Sequence, residues 1–185
     1  MADAPILTTP RFTMRPLERA DAGALFPTLS DDDQCRYLSR AAFASEEDLW
    51  AWLAEPGWPG KTWIAEDAQG VAGRFVSVPQ SPEADTPGIE EIGYITVMER
   101  QGQGVAGECT AALITHLFEA GARKLTAEVD VRNAPSVRLL EKLGFTREAH
   151  LREHDATHIG LCDVYWYGLL AREWGPRKAS ILSKK

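Results

Sequence analysis

The stretch Val97-Met98-Glu99-Arg100-Gln101-Gly102-Gln103-Gly104-Val105-Ala106-Gly107 decides how this chain is read. Three of its glycines, Gly102, Gly104 and Gly107, crowd a turn that leads into a long segment with helical apolar periodicity. Glycine lets a backbone come close to a phosphate, because no Cβ stands in the way. The first amides of a helix lack partners within it, and the helix dipole adds partial positive charge at the same end. Together they predict an anion site made of main-chain donors. A pyrophosphate carries enough charge to engage several such amides at once. A plain loop between strand and helix is the alternative.

Working outward, apolar Ala106, Cys109, Leu113 and Leu117 recur at three- and four-residue spacing, which predicts a helix over about 104–120, ended by Gly121. Upstream, residues 61–66, 71–78 and 90–97 are rich in β-branched and aromatic side chains and read as strands. Residues 11–17 read as a short strand, and 21–29 and 45–54 as helices. Ser45 with Asp48 approximates a capping box for the second of these. Downstream, 125–131 alternates as a strand, and 133–143 is a short helix with Pro135 in its first turn and Gly144 at its end. Residues 145–152 and 161–170 read as two final strands joined by a polar hairpin. The order β, αα, βββ, α, β, α, ββ predicts an α+β fold: a mixed sheet with helices packed on it.

A chain of 185 residues suits one domain with a sizeable core, expected over 1–185 with its core at about 8–174. Residues 79–88, PQSPEADTPG, read as a loop inside that domain, and the basic tail 175–185 as poorly ordered. Composition is ordinary for a globular protein, with 44% apolar and 25% charged residues. Lysine and arginine number 20 against 27 acidic residues, and the net charge of −7 disfavours nonspecific nucleic-acid binding. Cys35, Cys109 and Cys162 are widely spaced, which argues against a disulfide scaffold or zinc site and fits a reducing compartment. The opening MADAPILTTPRF lacks the pattern of a signal peptide, and no apolar run approaches the ~18 residues that span a bilayer. The expectation is a cytoplasmic protein without a membrane partner.

Gly102, Gly104 and Gly107 also spell G-x-G-x-x-G, and Asp130 falls about where a ribose-binding acid would sit. In a doubly wound unit, however, the strand runs straight into the first glycine, whereas residues 98–101 intervene here. Too little chain follows Asp130 for the rest of such a sheet. A dinucleotide oxidoreductase is therefore the weaker alternative.

Four segments carry a resemblance. Gln101-Gly102-Gln103-Gly104-Val105-Ala106 resembles the Q/R-x-x-G-x-G/A acyl-CoA signature of the GNAT superfamily of N-acetyltransferases. Glu91-Ile92-Gly93-Tyr94 resembles the fourth-strand EIGY segment of its RimJ/RimL-like branch. The run from Asn133 through Ser136 to Leu143-Gly144-Phe145 is similar to that branch's N-x-x-S…LGF segment. Leu151-Arg152-Glu153-His154 followed by Asp163-Val164-Tyr165 looks like its closing hairpin. The resemblance covers residues 8–174, and four motifs in order make it specific. It implies a mostly antiparallel sheet of about seven strands with the fourth and fifth splayed apart, flanked by about four helices. It also implies acetyl-CoA as acyl donor, no metal, and transfer to a primary amine, either a peptide α-amine or a small molecule. A homodimer is compatible with it, although no patch in the sequence points to one.

The resemblance also implies where the donor lies. Its pantetheine arm would run between the splayed strands, against Ile95, Thr96 and Val97. The turn from Gln101 through Gly102, Gln103, Gly104, Val105, Ala106 and Gly107 would hold the pyrophosphate. Arg100 would meet a phosphate or remain a solvated loop charge. Asn133 would touch the donor near its thioester, cap its own helix, or do both with different atoms.

Attack by a neutral amine needs proximity, a donor to the developing oxyanion and proton management. A backbone amide of the fourth strand is the candidate oxyanion donor. Ser136 is the candidate donor to the leaving sulfur, as the N-x-x-S serine is in some relatives; a helix-capping serine is the alternative. Deprotonating an α-amine at pH 7 costs about 1 kcal/mol, against about 4–5 kcal/mol for a lysine side chain. A weak base or water relay would therefore serve an α-amine. Glu91 leads as base. Strand alternation puts Glu90 on the opposite face, and a bulge would exchange the two. Asp155 is a further acid, and Tyr165 or Tyr167 a proton donor if not simply packed.

His116 reads as a surface or partly buried residue. His150, His154 and His158 recur every four residues, but on a strand hairpin that spacing makes no metal face. Trp50, Trp52 and Trp58 are either an aromatic lid over the acceptor or ordinary packing. The rival from another class is an acyl-CoA-binding sensor without turnover.

Overall fold

The computed structural model describes residues 4–80 and 88–175. Most of the 79–88 loop and nearly all of the basic tail lie outside the described residues. Among the described residues eight strands form one sheet: β1 (Leu7–Thr8), β2 (Thr13–Pro16), β3 (Lys61–Asp67), β4 (Gly70–Pro79), β5 (Ile89–Thr96), β6 (Lys124–Asp130), β7 (Thr146–Thr157) and β8 (Gly160–Leu170). The helices are α1 (Asp21–Leu29), α2 (Asp32–Cys35), α3 (Glu46–Leu53), α4 (Val105–Glu119) and α5 (Ala134–Leu143), with a 3-10 turn at Met98–Arg100. Spatial order is β1-β2-β3-β4-β5-β6-β8-β7, and every pairing is antiparallel except β5 with β6. A mostly antiparallel sheet removes the doubly wound alternative.

The expected seven strands and four helices each fall short. Two-residue β1 cannot display alternation. The four-residue α2 has no apolar period, and its only local signal is Asp31, whose side chain accepts from the Gln34 amide at 3.0 Å. The last two strands run further than expected, so that Thr157 pairs with Gly160 across a two-residue turn. Ser45 does cap α3, accepting from the Asp48 amide at 3.1 Å, while the Asp48 carboxylate turns to Arg40.

Strand alternation gives the sheet two apolar faces. Trp63, Phe75, Ile92, Leu125, Ala127 and Tyr167 pack against α4 and α5. Ile64 and Val97 pack on the other face against Leu25, Leu29, Leu49 and Leu53 of α1 and α3. On α4 the buried stripe comprises Val105, Cys109, Thr110, Ala111, Leu113, Ile114 and Leu117, so Ala106 is left at its edge, facing the cleft described below.

The β5–β6 ladder is short. Ile89 pairs with Lys124, Glu90 with Leu125 and Glu91 with Thr126, and there it ends. Beyond that point β5 stays on β4 as far as the Gly73–Thr96 pair, and β6 stays on β8 as far as Asp130–Val164. The strands therefore part after Glu91 and Thr126, opening a wedge through the middle of the sheet. The expected splay is present.

Candidate active site

The glycine-rich turn lines the same cleft as the parted strands. Gly102 and Gly104 have φ of 72° and 81°, left-handed values that a side chain would strain. The first ladder bond of α4 runs from the Glu108 amide to the Gly104 carbonyl at 3.1 Å. Among the described residues no acceptor meets the amides of Gly102, Gln103, Gly104, Val105, Ala106 or Gly107. Val105 buries its side chain in the core, which leaves only its backbone for the turn. The Gln101 side chain donates to Gln34 at 2.7 Å and to the Thr96 carbonyl at 3.3 Å, and so fixes the turn to α2 and β5.

Two cations stand near this turn, with different fates. Arg100 is buried, and both its Nη atoms donate to the Asp67 carboxylate, at 3.1 and 2.5 Å. It is thus no solvated loop charge, and its guanidinium is held by Asp67. That pair and the Gln69 amide hold the Asp67 carboxyl below its ordinary range. Sequence reasoning passed over Arg11, which reaches the turn itself. Its Nη1 donates to the Gln103 carbonyl at 3.0 Å, and its Nε pairs with Glu108 at 2.6 Å.

The backbone of β5 supplies further donors. Gln80 N–H donates to the Ile89 carbonyl, and Val97 N–H to the Ala72 carbonyl at 3.0 Å, so the odd-numbered residues of this segment bond to β4. The alternation of an antiparallel ladder then turns the amides of Ile92, Tyr94 and Thr96 toward the wedge. This corrects the expectation for Ile95 and Val97, whose amides belong to the sheet. Thr96 and Ile95 both line the cleft, and of the two only Thr96 turns its amide toward the wedge. Val97 is buried against α1 and α3.

Asn133 and Ser136 enter from α5. The Asn133 side chain accepts from the Ser136 amide at 3.3 Å, so it is the helix N-cap, and both residues line the cleft. The Ser136 hydroxyl lies 2.6 Å from the Tyr94 hydroxyl. Burial pushes the Tyr94 phenol up to about 12, against the lowering effect of the Ser136 hydrogen bond, so the phenol is a neutral donor or acceptor at physiological pH.

The acidic residues gather on the opposite, α1–α3 side. The β4–β5 register runs without a bulge from Pro79–Glu90 to Gly73–Thr96, which keeps Glu91 on the cleft and Glu90 off it. Burial raises the Glu91 pKa and the Glu128 carboxylate raises it further, while a hydrogen bond from Gln80 opposes them. Glu128 itself is raised by burial first, with His154 lowering and Asp155 raising it. Glu128 was not anticipated, because it hides as the polar member of an apolar alternation from Leu125 to Val129. Asp155 lines the same cleft but is exposed, and accepts from the Ala156 amide.

Tyr165 is not among the residues that line the cleft. Its ring packs edge-on against His150 and Tyr167, at 5.1 and 6.4 Å, beneath the Arg147 guanidinium at 4.5 Å. The structure thus brings Glu91, Asp155 and Ser136 to one cleft and leaves Tyr165 outside it. His150 binds Asp163 at 2.8 Å and His154 approaches Glu128 at 3.8 Å. Among the described residues no cluster of His, Cys, Asp and Glu could hold a metal ion. His116 packs edge-on to Trp63 at 5.9 Å. Trp52 and Trp58 both stand over Arg74, whereas Trp50 lies under Arg19.

Known proteins resemble this chain in sequence and in fold. The family model described as Acetyltransferase (GNAT) domain matches residues 11–146. The N-acetyltransferase p20 of Bacillus licheniformis, itself uncharacterized, is 29% identical over 178 residues, covering 91% of this chain and 97% of its own. The uncharacterized protein YkkB of Bacillus subtilis (strain 168) is 32% identical over 156 residues, covering 80% and 88%. A solved chain from T. thermophilus, assigned as an acetyltransferase, superposes with a TM-score of 0.83 at 31% identity, covering 98% of this chain and 97% of that one. The spermidine N-acetyltransferase of Vibrio cholerae, solved with CoA and spermine, shares the fold with a TM-score of 0.75 at 23% identity, covering 89% and 98%. The chain with the parted strands and bare-amide turn is an acyltransferase that belongs to the GNAT acetyltransferase family.

Proposed function

We propose that this protein moves the acetyl group of acetyl-CoA to a primary amine across the β5–β6 wedge. The observation that carries the reading is the early end of the β5–β6 ladder directly above a turn of unpaired amides. The residues present suit such a donor: a diphosphate needs several amides and close backbone approach, and the unpaired amides and glycines of the turn offer both. Bound there, acetyl-CoA supplies an acyl thioester whose carbonyl is the electrophile.

The chain's own groups divide the remaining work by sheet face. The amides of Gly102 to Gly107 hold the phosphates, and the Thr96 amide is available to the pantetheine arm. The Ile92 and Tyr94 amides point into the wedge and can donate to the carbonyl oxygen as it gains charge. Ser136, with Tyr94 behind it, is the proton donor for the departing sulfur on the α4–α5 side. Glu91 is the base, alone or through water, on the α1–α3 side, with Glu128 and Asp155 completing an acidic approach. A raised pKa brings the Glu91 carboxylate nearer to the amine's own proton affinity, which suits a base. Acid and base thus stand on opposite faces, and neither neutralises the other.

The EIGY and N-x-x-S…LGF segments favour the RimJ/RimL-like branch. The test is release of free CoA thiol from acetyl-CoA by the purified protein across a panel of amines and peptides, alongside thermal melts. Amine-dependent release is expected. Stabilisation by acetyl-CoA without release would make the protein a binding module, and neither effect would end the reading.

A further inference from the structure

Arg74 on β4 is a buried cation that the fold leaves incompletely partnered. It is 7% exposed, and among the described residues no carboxylate pairs with it. Its Nη2 donates to the Thr62 hydroxyl at 3.3 Å, and its Nε has no partner. Trp52 and Trp58 lie over the guanidinium, 4.8 and 5.6 Å from ring centroid to Cζ. Burial pulls its pKa down only to about 10, so it is charged at neutral pH. Other partly buried arginines have carboxylates: Arg15 holds Asp21 and Glu66, and Arg100 holds Asp67. Keeping an unpaired charge inside a protein is costly, and the usual remedy is a counter-ion.

Its location says where that counter-ion arrives. Arg74 pairs in register with Ile95, and Val76 with Gly93, on the α1–α3 face of the sheet. Gly93 has no side chain to fill the floor between Ile95 and Glu91. Arg74, Trp52, Gly93, Glu91 and Glu128 all line the same cleft. The cleft therefore presents carboxylates at one end, which suit an incoming ammonium, and an unpaired guanidinium at the other.

We propose that Arg74 is the anion subsite of the acceptor pocket, and that the acceptor is a primary amine that also carries a carboxylate. The inference rests on the acetyl-transfer reading above. A carboxylate fits because its two in-plane oxygens match paired guanidinium N–H groups, and the enclosed, unpartnered Nε shows that the fold itself leaves donor capacity of this guanidinium unmet. The two indoles shield that contact from water. A polyamine would bring a second positive charge to an arginine already short of a partner, and is selected against.

The experiment compares kcat/KM for matched acceptors: amino acids, their carboxamides, their decarboxylated amines and their aminophosphonate analogues. The wild-type enzyme should prefer the carboxylates by about tenfold or more, the scale of losing a hydrogen bond to a charged group. In Arg74→Gln that ratio should collapse toward one, mainly through a higher KM for the carboxylates. Arg74→Lys keeps the charge without the fork, and should keep part of the ratio. Should Arg74→Gln not fold, the wild-type panel and the lysine variant still decide. No preference in the wild type, an equal or better aminophosphonate, or a preference that survives Arg74→Gln overturns the inference. Amines acetylated regardless of a carboxylate would sink this proposal and leave acetyl transfer standing. Absence of acetyl-CoA binding would remove both.

Discussion

The hydroxyls of Tyr94 and Ser136 meet at 2.6 Å, one carried on β5 and the other on the first turn of α5. The two residues are 42 positions apart in the chain, and their contact spans the wedge on the donor's side. A buried phenol whose pKa is pushed up to about 12 keeps its proton, so it can orient the serine without competing as an acid at neutral pH. Ser136→Ala should therefore lower kcat by about 10²-fold, the lower end of general acid catalysis, and leave acetyl-CoA binding nearly intact. Tyr94→Phe should give a smaller loss of the same kind. Steady-state kinetics with a binding titration would check this. Unchanged turnover in Ser136→Ala would remove the serine from the mechanism.

The glycine turn makes a prediction about binding alone. At Gly104 the left-handed φ and the Arg11 Nη2 atom 3.2 Å from any added Cβ both oppose a side chain. Gly104→Val should cost about 1–2 kcal/mol of backbone strain and abolish the rise in melting temperature that acetyl-CoA gives the wild type. Melting curves with and without acetyl-CoA read both effects. A ligand shift of full size in the variant would mean that the amides of this turn do not hold the phosphates.

Glu91 ties activity to stability with opposite signs. Its pKa is raised by burial and by Glu128, so the folded protein binds this proton more tightly than the unfolded chain does. The charged form at neutral pH is then a burden on the fold, one that disappears as pH falls below the ordinary carboxylate range of about 4. Glu91→Gln should melt higher than wild type at pH 7 to 8 and lose that advantage below about pH 4. It should also lose about tenfold or more in kcat/KM at neutral pH. The wild-type pH profile should fall on its acid side, and this limb should be absent from the variant. A variant that melts lower at neutral pH would contradict the sign of this shift.

Gly73 tests how closely β4 and β5 are held beside the wedge. A Cβ there would sit 2.5 Å from the Ile95 carbonyl oxygen, a backbone atom that cannot swing away. Gly73→Ala should destabilise the fold by about 1–3 kcal/mol, as other overpacked sites do. Because Ile95 lines the cleft, acetyl-CoA affinity should fall as well. Denaturant unfolding and a binding titration would measure the two together.

Much of the fold was legible in local chemistry. The period of α4, the Asn133 cap with Pro135 behind it, and the glycines at 102 and 104 each act within a few residues, so a linear reading finds them. The elements that escaped were too short to carry a period: β1 with two residues and α2 with four. The site was read less completely. Glu91 was separated from Glu90 by alternation alone, and this worked because β5 has no bulge. Tyr165 was left between packing and proton donation, because the face a strand residue shows is local, whereas what stands above that face is not.

Sequence by itself determined that an amide-rich, glycine-rich turn begins a long helix, since φ preference and helix-end donors are properties of neighbouring residues. Tertiary structure alone decided that β5 and β6 separate after Glu91 and Thr126, because that depends on β4 and β8 each holding one strand by its far edge. It also decided the meeting of Tyr94 with Ser136, the facing of Glu91 toward Glu128, and the burial of Arg74 between Trp52 and Trp58. Each of these is a contact across the sheet or from sheet to helix, and no spacing along the chain encodes the distance between two strands.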